Sequence, residues 1–233
     1  VAENVLNRHF SPQAPNQVWG TDITYLWTQE GWIYLAVVID LYSRRVVGWA
    51  MDKRMKKALV IRALMMAVNL RKPPPGLIHH SDRGSQYASD AYQNLLEQVG
   101  MIASMSRKGN CWDNAPVERF FSSLKREWTG DQLYKTRQEA IADVREYVAV
   151  YYNSRRLHST LGYKTPMDYE NILECLTNLV GNAIDACQMS ENRGKCFVHV
   201  KVEEVDNVIG FKVTDNGCGM DYEVKNKVFT NFF

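Results

Sequence analysis

The spacing of apolar residues over the first 170 positions predicts alternating strands and helices. Runs rich in β-branched and aromatic residues indicate strands, and apolar residues at helical spacing indicate the helices between and after them. The predicted strands cover residues 18–27, 32–40, 44–51, 76–80 and 101–105, and the predicted helices 55–70, 89–99, 113–128 and 137–152. Ser89-Asp90 is predicted to cap the second helix. This order is typical of an α/β protein with a mixed sheet flanked by helices.

The last 63 residues have a pattern of their own. Helical spacing predicts a helix over residues 172–188, and alternation predicts strands at 196–203 and 208–215 with Asp206-Asn207 as the hairpin turn. Asn178 and Asn182 lie four residues apart on one face of the helix. Asn is mildly unfavourable inside a helix, so this pair suggests a functional reason for its position.

Charge and composition change where this second pattern begins. Residues 1–170 hold 22 Lys+Arg and 17 Asp+Glu, a balance of +5, whereas residues 171–233 hold 6 and 9, a balance of −3. All six tryptophans precede the change and four of the five cysteines follow it. No Gly/Ser/Pro linker separates the two parts, so the abrupt join suggests a fusion of two pieces of different origin.

The overall composition excludes several classes of protein. With 45% hydrophobic and 23% charged residues, wholesale disorder and fibrous repeats are excluded. No apolar run approaches the roughly 20 residues that cross a bilayer, so we expect no membrane partner. Five cysteines without a CxxC pair favour reduced thiols, and no signal peptide is visible, so a cytoplasmic protein is expected.

Three acidic residues stand out near the ends of predicted elements. Asp22 lies within a strand, where Asp is disfavoured, Asp82 follows a short strand, and Glu118 lies on a helix 35 intervening residues later. Each alone more commonly closes or caps a turn. Together, carboxylates are the ligands that hard divalent cations prefer, and two such ions can activate the attacking oxygen and stabilise the leaving oxygen at a phosphodiester.

The segments around these acids resemble the three motifs of DDE transposases, in the retroviral-integrase superfamily. The motifs are residues 19–25 (WGTDITY), 80–87 (HSDRGSQY) and 114–121 (NAPVERFF). The resemblance covers about residues 10–169 and is strongest to the OrfB-type transposases of bacterial insertion sequences.

This resemblance implies an RNase H-like catalytic core over residues 10–169. Asp22, Asp82 and Glu118 would be its catalytic residues and the ligands of two Mg²⁺ or Mn²⁺ ions. The implied activity is that of a polynucleotidyl transferase that cleaves DNA at element ends and joins the freed 3′-hydroxyl to target DNA. Such a bacterial enzyme is expected to act as a homo-oligomer on DNA.

Basic residues on and after the helix of Glu118 are candidates for DNA contact. Lys125 lies two turns beyond Glu118 on the same predicted face, and in the family a basic residue at that position contacts the DNA end. A solvated helix face is the alternative. The predicted DNA-binding set is completed by Arg119, Arg126, Arg155 and Arg156.

Neighbouring histidines and a further acid have other interpretations. Strand alternation sends His79 and His80 to opposite faces, which argues against a joint zinc site. We interpret both as structural, with His80 placed to tune Asp82. Asp40 is a possible fourth acid near the centre of the sheet.

The C-terminal part resembles the ATP-binding domain of sensor histidine kinases, in the GHKL superfamily. Residues 176–183 (LTNLVGNA), 215–219 (DNGCG) and 228–233 (VFTNFF) resemble its N, G1 and F boxes. This resemblance implies that Asn182 would bind Mg²⁺ and that Asp215 would accept a hydrogen bond from the adenine amino group. Asn178, Gly217 and Gly219 would complete a vestigial ATP site. We expect residues 171–233 to form a truncated, partial α/β sandwich that binds ATP weakly or not at all.

Three functions therefore compete. The first is a transposase core fused by chance to a kinase fragment. The second is a signalling fragment whose ATP-binding module matters, and the third is an inactive fusion remnant. The agreement of three motifs and their spacing favours the first.

Overall fold

The computed structural model of this protein describes residues 1–189, 196–205 and 208–219. The chain divides into two compact units, Val1–Glu170 and Asn171–Phe233. Two sequence predictions lie outside the described residues, namely the Asp206-Asn207 turn and the F-box-like segment at 228–233. In the part of the chain that is described, no helix has the length and apolar character needed to span a membrane.

A five-stranded mixed sheet forms the centre of the first unit. Its strands are β1 (Val18–Leu26), β2 (Ile33–Asp40), β3 (Val46–Asp52), β4 (Ile78–Ser81) and β5 (Ile102–Met105), in the spatial order β3-β2-β1-β4-β5. The first three strands pair antiparallel, while β1, β4 and β5 pair parallel. The predicted fold class, a mixed sheet flanked by helices, is confirmed, and the strands and helices of this unit follow one another along the chain as predicted.

Four helices flank this sheet. They are α1 (Lys57–Arg71), α2 (Asp90–Gln98), α3 (Ala115–Leu124) and α4 (Arg137–Glu146). The helices predicted at 113–128 and 137–152 are not uniform, because π-helical turns at Lys125–Thr129 and Tyr147–Tyr152 follow α3 and α4. Ser89 stands at the N-cap of α2, but its hydroxyl donates to the carbonyl of Gln86, so the predicted capping bond is wrong.

The helices cover both faces of the sheet. Because side chains alternate along a strand, successive residues of β2 enter opposite cores. One core joins β2 to α3 and α4 through buried Leu35, Val37, Val117, Phe120 and Val144. The other joins it to α1 and α2 through buried Ala36, Val38, Leu59, Ala63 and Leu96.

A glycine lets α3 approach β1 closely. A Cβ atom at Gly20 would lie 2.8 Å from Cγ2 of Val117, closer than two carbon atoms can pack. Glu118 follows Val117, and Asp22 shares the strand face of Gly20. The small residue therefore brings the helix that carries one acid against the strand that carries another.

A buried carboxylate anchors the end of the first unit. Glu170 accepts hydrogen bonds from both terminal nitrogens of Arg71 (2.9 and 2.6 Å), from Arg45 (2.7 Å) and from the hydroxyl of Ser43 (2.6 Å). It is only 7% exposed. The start of α5 (Pro166–Met189) is thereby tied to α1 and to the residues before β3.

The second unit contains a helix and a β-hairpin. Helix α5 continues into it to Met189, and strands β6 (Val198–Val205) and β7 (Val208–Asp215) pair antiparallel. The backbone N–H of Cys218 donates to the carbonyl of Ala186, and a Cβ at Gly217 would lie 2.4 Å from the backbone of Ala186. The glycine-rich loop after β7 therefore packs directly on α5.

Candidate active site

The register of two parallel strands brings the first two acids together. Val18 pairs with Ile78 and Gly20 with His80. Carried forward by two residues, the same register places Asp22 opposite Asp82, just beyond the end of β4. The Oδ1 atom of Asp82 accepts a hydrogen bond from the N–H of Gly84 (2.9 Å), which holds this carboxylate in its turn.

All three predicted acids line one cavity of about 440 Å³. Asp22 comes from β1, Asp82 from the turn after β4, and Glu118 from the first turn of α3. Three elements separated in sequence thus contribute one acid each to the same cavity. The acids are reached from solvent, since Glu118 is exposed and the other two are partly buried.

The electrostatic environment of Asp22 is unfavourable to its charge. Burial raises the pKa of its carboxyl group to about 7, and the negative charges of Asp82 and Glu118 act in the same direction. Hydrogen bonds from the N–H of Ile23 (2.7 Å) and from the side chain of Asn114 oppose this rise. A positive charge placed beside this carboxyl group would lower its pKa again.

The donor set matches a hard divalent cation. The three acids offer only oxygen ligands around one cavity, and their mutual repulsion is the kind that a cation relieves. Within the described residues, no three His, Cys, Asp or Glu side chains stand close enough together to hold one ion as they are placed. The chemistry of the donors therefore fits a metal, while the arrangement is wider than a closed coordination shell.

A basic loop forms another wall of the cavity. Arg83, Arg107 and Lys108 line it together with the acids. The Nε atom of Arg83 donates to the carbonyl of Ser106 (2.7 Å), which ties the turn of Asp82 to this loop. Positive charge therefore lies directly beside the carboxylates, where a phosphate group would need it.

A buried aspartate, not anticipated from the sequence, holds this loop. Asp113 accepts hydrogen bonds from the backbone and side chain of Arg107, from Arg8 (2.8 Å) and from Asn4 (3.0 Å). Its hydrogen bonds to Arg107 hold its pKa well below the ordinary value. The sequence feature that could have indicated this role is the position of Asp113, directly before the third motif and six residues after Arg107.

The predicted DNA-binding residues do not form one group. Arg119 and Arg156 line a second cavity beside α3. Lys125 does not line the cavity of the acids, and its ammonium lies 5.0 Å from the ring centroid of Tyr25. Arg126 and Arg155 are exposed.

The histidines are structural, as predicted. His79 hydrogen-bonds to the hydroxyl of Tyr92 (2.8 Å), and His80 to that of Ser104 (2.9 Å), and burial lowers their pKa values to about 3 and about 4. Both rings are therefore neutral at pH 7. The second ring nitrogen of His80 contacts Ser106, so this residue joins β4 to the end of β5 rather than tuning Asp82.

Asp40 is not a fourth acid of the site. It is fully buried and accepts hydrogen bonds from the N–H groups of Asn16 (2.7 Å) and Tyr42 (2.9 Å), and it pairs with Arg71. These partners use its oxygens for structure, and it does not line the cavity of the acids. The prediction for this residue was wrong because a buried acid at a strand end had a local role.

The predicted ATP-site residues of the second unit lie on α5 and on the loop after β7. Asn178, Asn182 and Asp215 are exposed, and Asp215 accepts a hydrogen bond from the N–H of Gly217 (2.9 Å). Gly219 has a φ of +74°, which favours glycine. A cavity of about 600 Å³ in this unit is lined by other residues, among them Asp185, Cys187 and Phe197.

Comparison with protein families assigns the two units to different groups. Residues 12–111 and 99–166 match two family models that each describe an integrase core domain. Residues 12–166 are thus a member of the integrase core domain family. Residues 167–233 match the model of the histidine kinase-, DNA gyrase B- and HSP90-like ATPases.

Curated relatives of the first unit come from insertion sequences. The chain is 52% identical over 166 residues to the uncharacterized 31 kDa protein of insertion element IS600 from Shigella sonnei, covering 71% of this chain and 61% of the relative. It is 50% identical over 167 residues to the transposase of IS904 from Lactococcus lactis (72% and 66%), and 48% identical over 171 residues to the transposase InsF of IS3A from Escherichia coli (73% and 59%). The chain therefore spans about three-fifths to two-thirds of these relatives.

Solved structures share the fold. A chain of the simian T-cell lymphotropic virus intasome, solved in complex with the PP2A regulatory subunit B56 gamma, aligns with a TM-score of 0.58 at 21% identity, covering 69% of this chain and 56% of that chain. The HTLV-2 integrase catalytic core, in complex with magnesium, aligns with a TM-score of 0.53 at 20% identity, covering 68% and 98%. The first unit has the RNase H-like fold of integrase catalytic cores.

Proposed function

We propose that the first unit is the catalytic core of a DNA transposase that cleaves and transfers DNA strands with divalent metal. The observation that carries this proposal is the convergence of Asp22, Asp82 and Glu118 on one cavity, beside a wall of basic residues. The names of the curated relatives support DNA transposition as the process.

In this proposal the three acids hold two Mg²⁺ or Mn²⁺ ions. When bound, such ions activate the attacking oxygen and stabilise the leaving oxygen of a phosphodiester. Burial and, to a smaller extent, the charges of Asp82 and Glu118 raise the pKa of Asp22, and a cation held by the three acids would favour its ionised form. The N–H of Ile23 and the side chain of Asn114 orient its carboxylate, and the N–H of Gly84 orients that of Asp82.

DNA is the proposed partner. Arg83, Arg107 and Lys108 lie where the phosphates next to the scissile bond would pass. The predicted set of Lys125, Arg119, Arg126, Arg155 and Arg156 would extend this contact along the strand. A homo-oligomer on DNA is proposed because the similar retroviral proteins were solved as an intasome and as dimeric and trimeric cores.

Variants of the acids test the proposal. Asp82→Asn and Glu118→Gln should abolish Mg²⁺-dependent cleavage and joining of duplex DNA, because each removes a metal ligand while keeping the side-chain volume. Gel analysis of nicked and joined products measures the loss, and circular dichroism checks the fold. Glu97→Gln, on the exposed face of α2, is the matched control and should keep full activity. Activity retained by either acid variant would contradict the assignment.

For the second unit we propose a relationship to the ATP-binding domains of histidine kinases, with this unit joined to the transposase core. Its family match and the packing of the loop at residues 215–219 (DNGCG) on α5 support this relationship. We expect ATP to bind weakly or not at all, and calorimetric titration with ATP and Mg²⁺ measures this. Micromolar affinity would instead favour a signalling function. Loss of both DNA and ATP binding would indicate an inactive remnant.

A further inference from the structure

A second cavity lies beside the candidate active site. Its volume is about 490 Å³, within the range of about 300–1,000 Å³ typical of small-molecule sites. Glu118 lines the first cavity and the next residue of α3, Arg119, lines the second. We call it the arginine cavity, and the residues used below are Phe10, Arg44, Arg119, Tyr152, Arg156 and Tyr163.

Two of the three arginines that line the arginine cavity make no ion pair within the described residues. One terminal nitrogen of Arg44, Nη1, is buried without a hydrogen-bond partner among the described residues, while Nη2 donates to the carbonyl of Phe10 (3.1 Å). Arg119 makes no ion pair within the described part of the chain, whereas Arg156 pairs with both oxygens of Glu127 (2.6 and 2.7 Å). Among the described residues, no carboxylate lines the cavity. The guanidinium of Arg44 is partly buried and makes no ion pair in the described part of the chain, and Asp40 favours its charge only from outside the cavity, so an anionic ligand fits this space.

Aromatic surface surrounds these guanidinium groups. The buried ring of Tyr152 lies beneath Arg156, 5.9 Å from its guanidinium carbon, and the ring of Tyr163 is 71% exposed. Burial and the charges of Arg156 and Arg44 lower the pKa of His158 to about 4, so this ring is neutral at pH 7. Guanidinium groups beside aromatic rings are the combination that binds the phosphate and the unstacked base of a single-stranded nucleotide.

Two residues of the cavity have an unusual backbone conformation. Arg44 has a φ of +63° and Tyr163 a φ of +56°, in the left-handed region that bulky residues rarely occupy. Such conformations persist only where the surrounding structure holds them, and Asn7, Arg8, Asn16 and Lys72 also have positive φ. At Arg44 and Tyr163 the conformation presents a cation and an aromatic ring, 119 positions apart in sequence, to the same space.

We propose that the arginine cavity binds one unpaired nucleotide of the DNA substrate. The phosphate lies between Arg44 and Arg119, and the base lies against Tyr163. This inference rests on the proposed transposase function. A base inside a continuous duplex is stacked and cannot enter, so the cavity selects DNA with a single-stranded tail or a frayed end next to the acids.

Binding of tailed and blunt DNA tests this proposal. The full chain is titrated against a fluorescent duplex with a three-nucleotide single-stranded tail, against the blunt duplex, and against a duplex whose tail is abasic, with anisotropy as the readout. We expect the normal tail to bind tightest. Arg119→Ala and Tyr163→Ala should each weaken tailed binding roughly 5- to 100-fold and remove the preference, as loss of a stacked base does elsewhere.

Matched variants separate the cavity from general electrostatics. Arg54→Ala removes an exposed arginine that lines neither cavity and should leave the preference for the tail intact. Tyr163→Phe should also keep it, because the ring remains. Arg44→Lys, which keeps the charge but loses the planar fork, should reduce the preference if the variant folds, as judged by circular dichroism.

The outcomes distinguish the two proposals. Failure to bind any DNA would contradict the transposase function itself. Equal binding of tailed and blunt DNA by the wild type would overturn the nucleotide site alone. An abasic tail that binds as well as the normal tail would show a phosphate site without base recognition, and would also overturn it. So would an Arg54→Ala variant that loses the preference as fully as Arg119→Ala.

Discussion

At the scale of single residues, ionised Asp22 lowers the stability of the folded protein. Its pKa rises from 3.8 to about 7 because the carboxyl group is buried near two other acids. The folded state therefore holds a proton between these two pH values that the unfolded state releases. Stability must fall as pH rises through this window.

Asp22→Asn removes the negative charge that is unfavourable in the folded protein. Without divalent metal, we expect the variant to be more stable than the wild type by roughly 2 kcal/mol at pH 8, with the difference shrinking toward pH 5. Urea unfolding followed by tryptophan fluorescence in EDTA measures this, because all six tryptophans lie in the first unit. Asp131→Asn, an exposed acid, should keep the wild-type pH profile. Parallel profiles for Asp22→Asn and wild type would show that Asp22 is ordinarily ionised.

The sequence predicted best those residues that lie within a recognisable local motif. The three acids were found because each lies within a motif of seven or eight residues. Asp113 was missed because two of its three partners, Arg8 and Asn4, lie more than 100 positions away, and its pairing with nearby Arg107 follows no common motif. The arginine cavity was missed for a related reason, since positive φ at Arg44 and Tyr163 leaves no pattern in the sequence.

At the scale of elements, the contact between β1 and α3 sets the distance between two acids. The apolar patterns predicted both elements, but not their closeness, which depends on the missing side chain of Gly20. The predicted single helix over residues 113–128 also assumed one period throughout. The π-helical turn from Lys125 to Thr129 changes that period, so faces computed for a straight helix do not hold beyond Leu124.

Gly20→Ala tests this contact. The added methyl would collide with Val117, and we expect a loss of about 1–3 kcal/mol of stability together with reduced strand cleavage, since α3 must move with Glu118. Thermal unfolding and the cleavage assay measure the two effects. Gly181→Ala in α5, where a Cβ meets nothing within 4 Å, should be neutral or stabilising. A Gly20→Ala protein with unchanged stability would mean that the helix tolerates displacement.

At the scale of the whole molecule, charge is divided between the units. The first has a balance of +5 and the second of −3, so the DNA binding proposed above fits the charge of the first unit better than that of the second. The sign of this difference was readable from composition. Which basic residues meet the phosphates was not, because that depends on the folded surface.

The salt dependence of DNA binding tests which basic residues contact the phosphates. Lys125→Ala should reduce the slope of log affinity against log salt by about 1, because one phosphate contact is lost. Lys212→Ala, an exposed lysine of the second unit, should leave the slope unchanged. An unaltered slope for Lys125→Ala would exclude this residue from the phosphate contacts and leave its position over Tyr25 as its role.

The hydrogen bonds that hold Glu170 decide which part of the chain can change while the first unit stays folded. Glu170, the last residue of the first unit, accepts hydrogen bonds from Arg71, Arg45 and Ser43 of the same unit. The chain therefore leaves this unit at a fixed residue. We therefore expect that the sequence after Glu170 can be exchanged while the first unit stays folded.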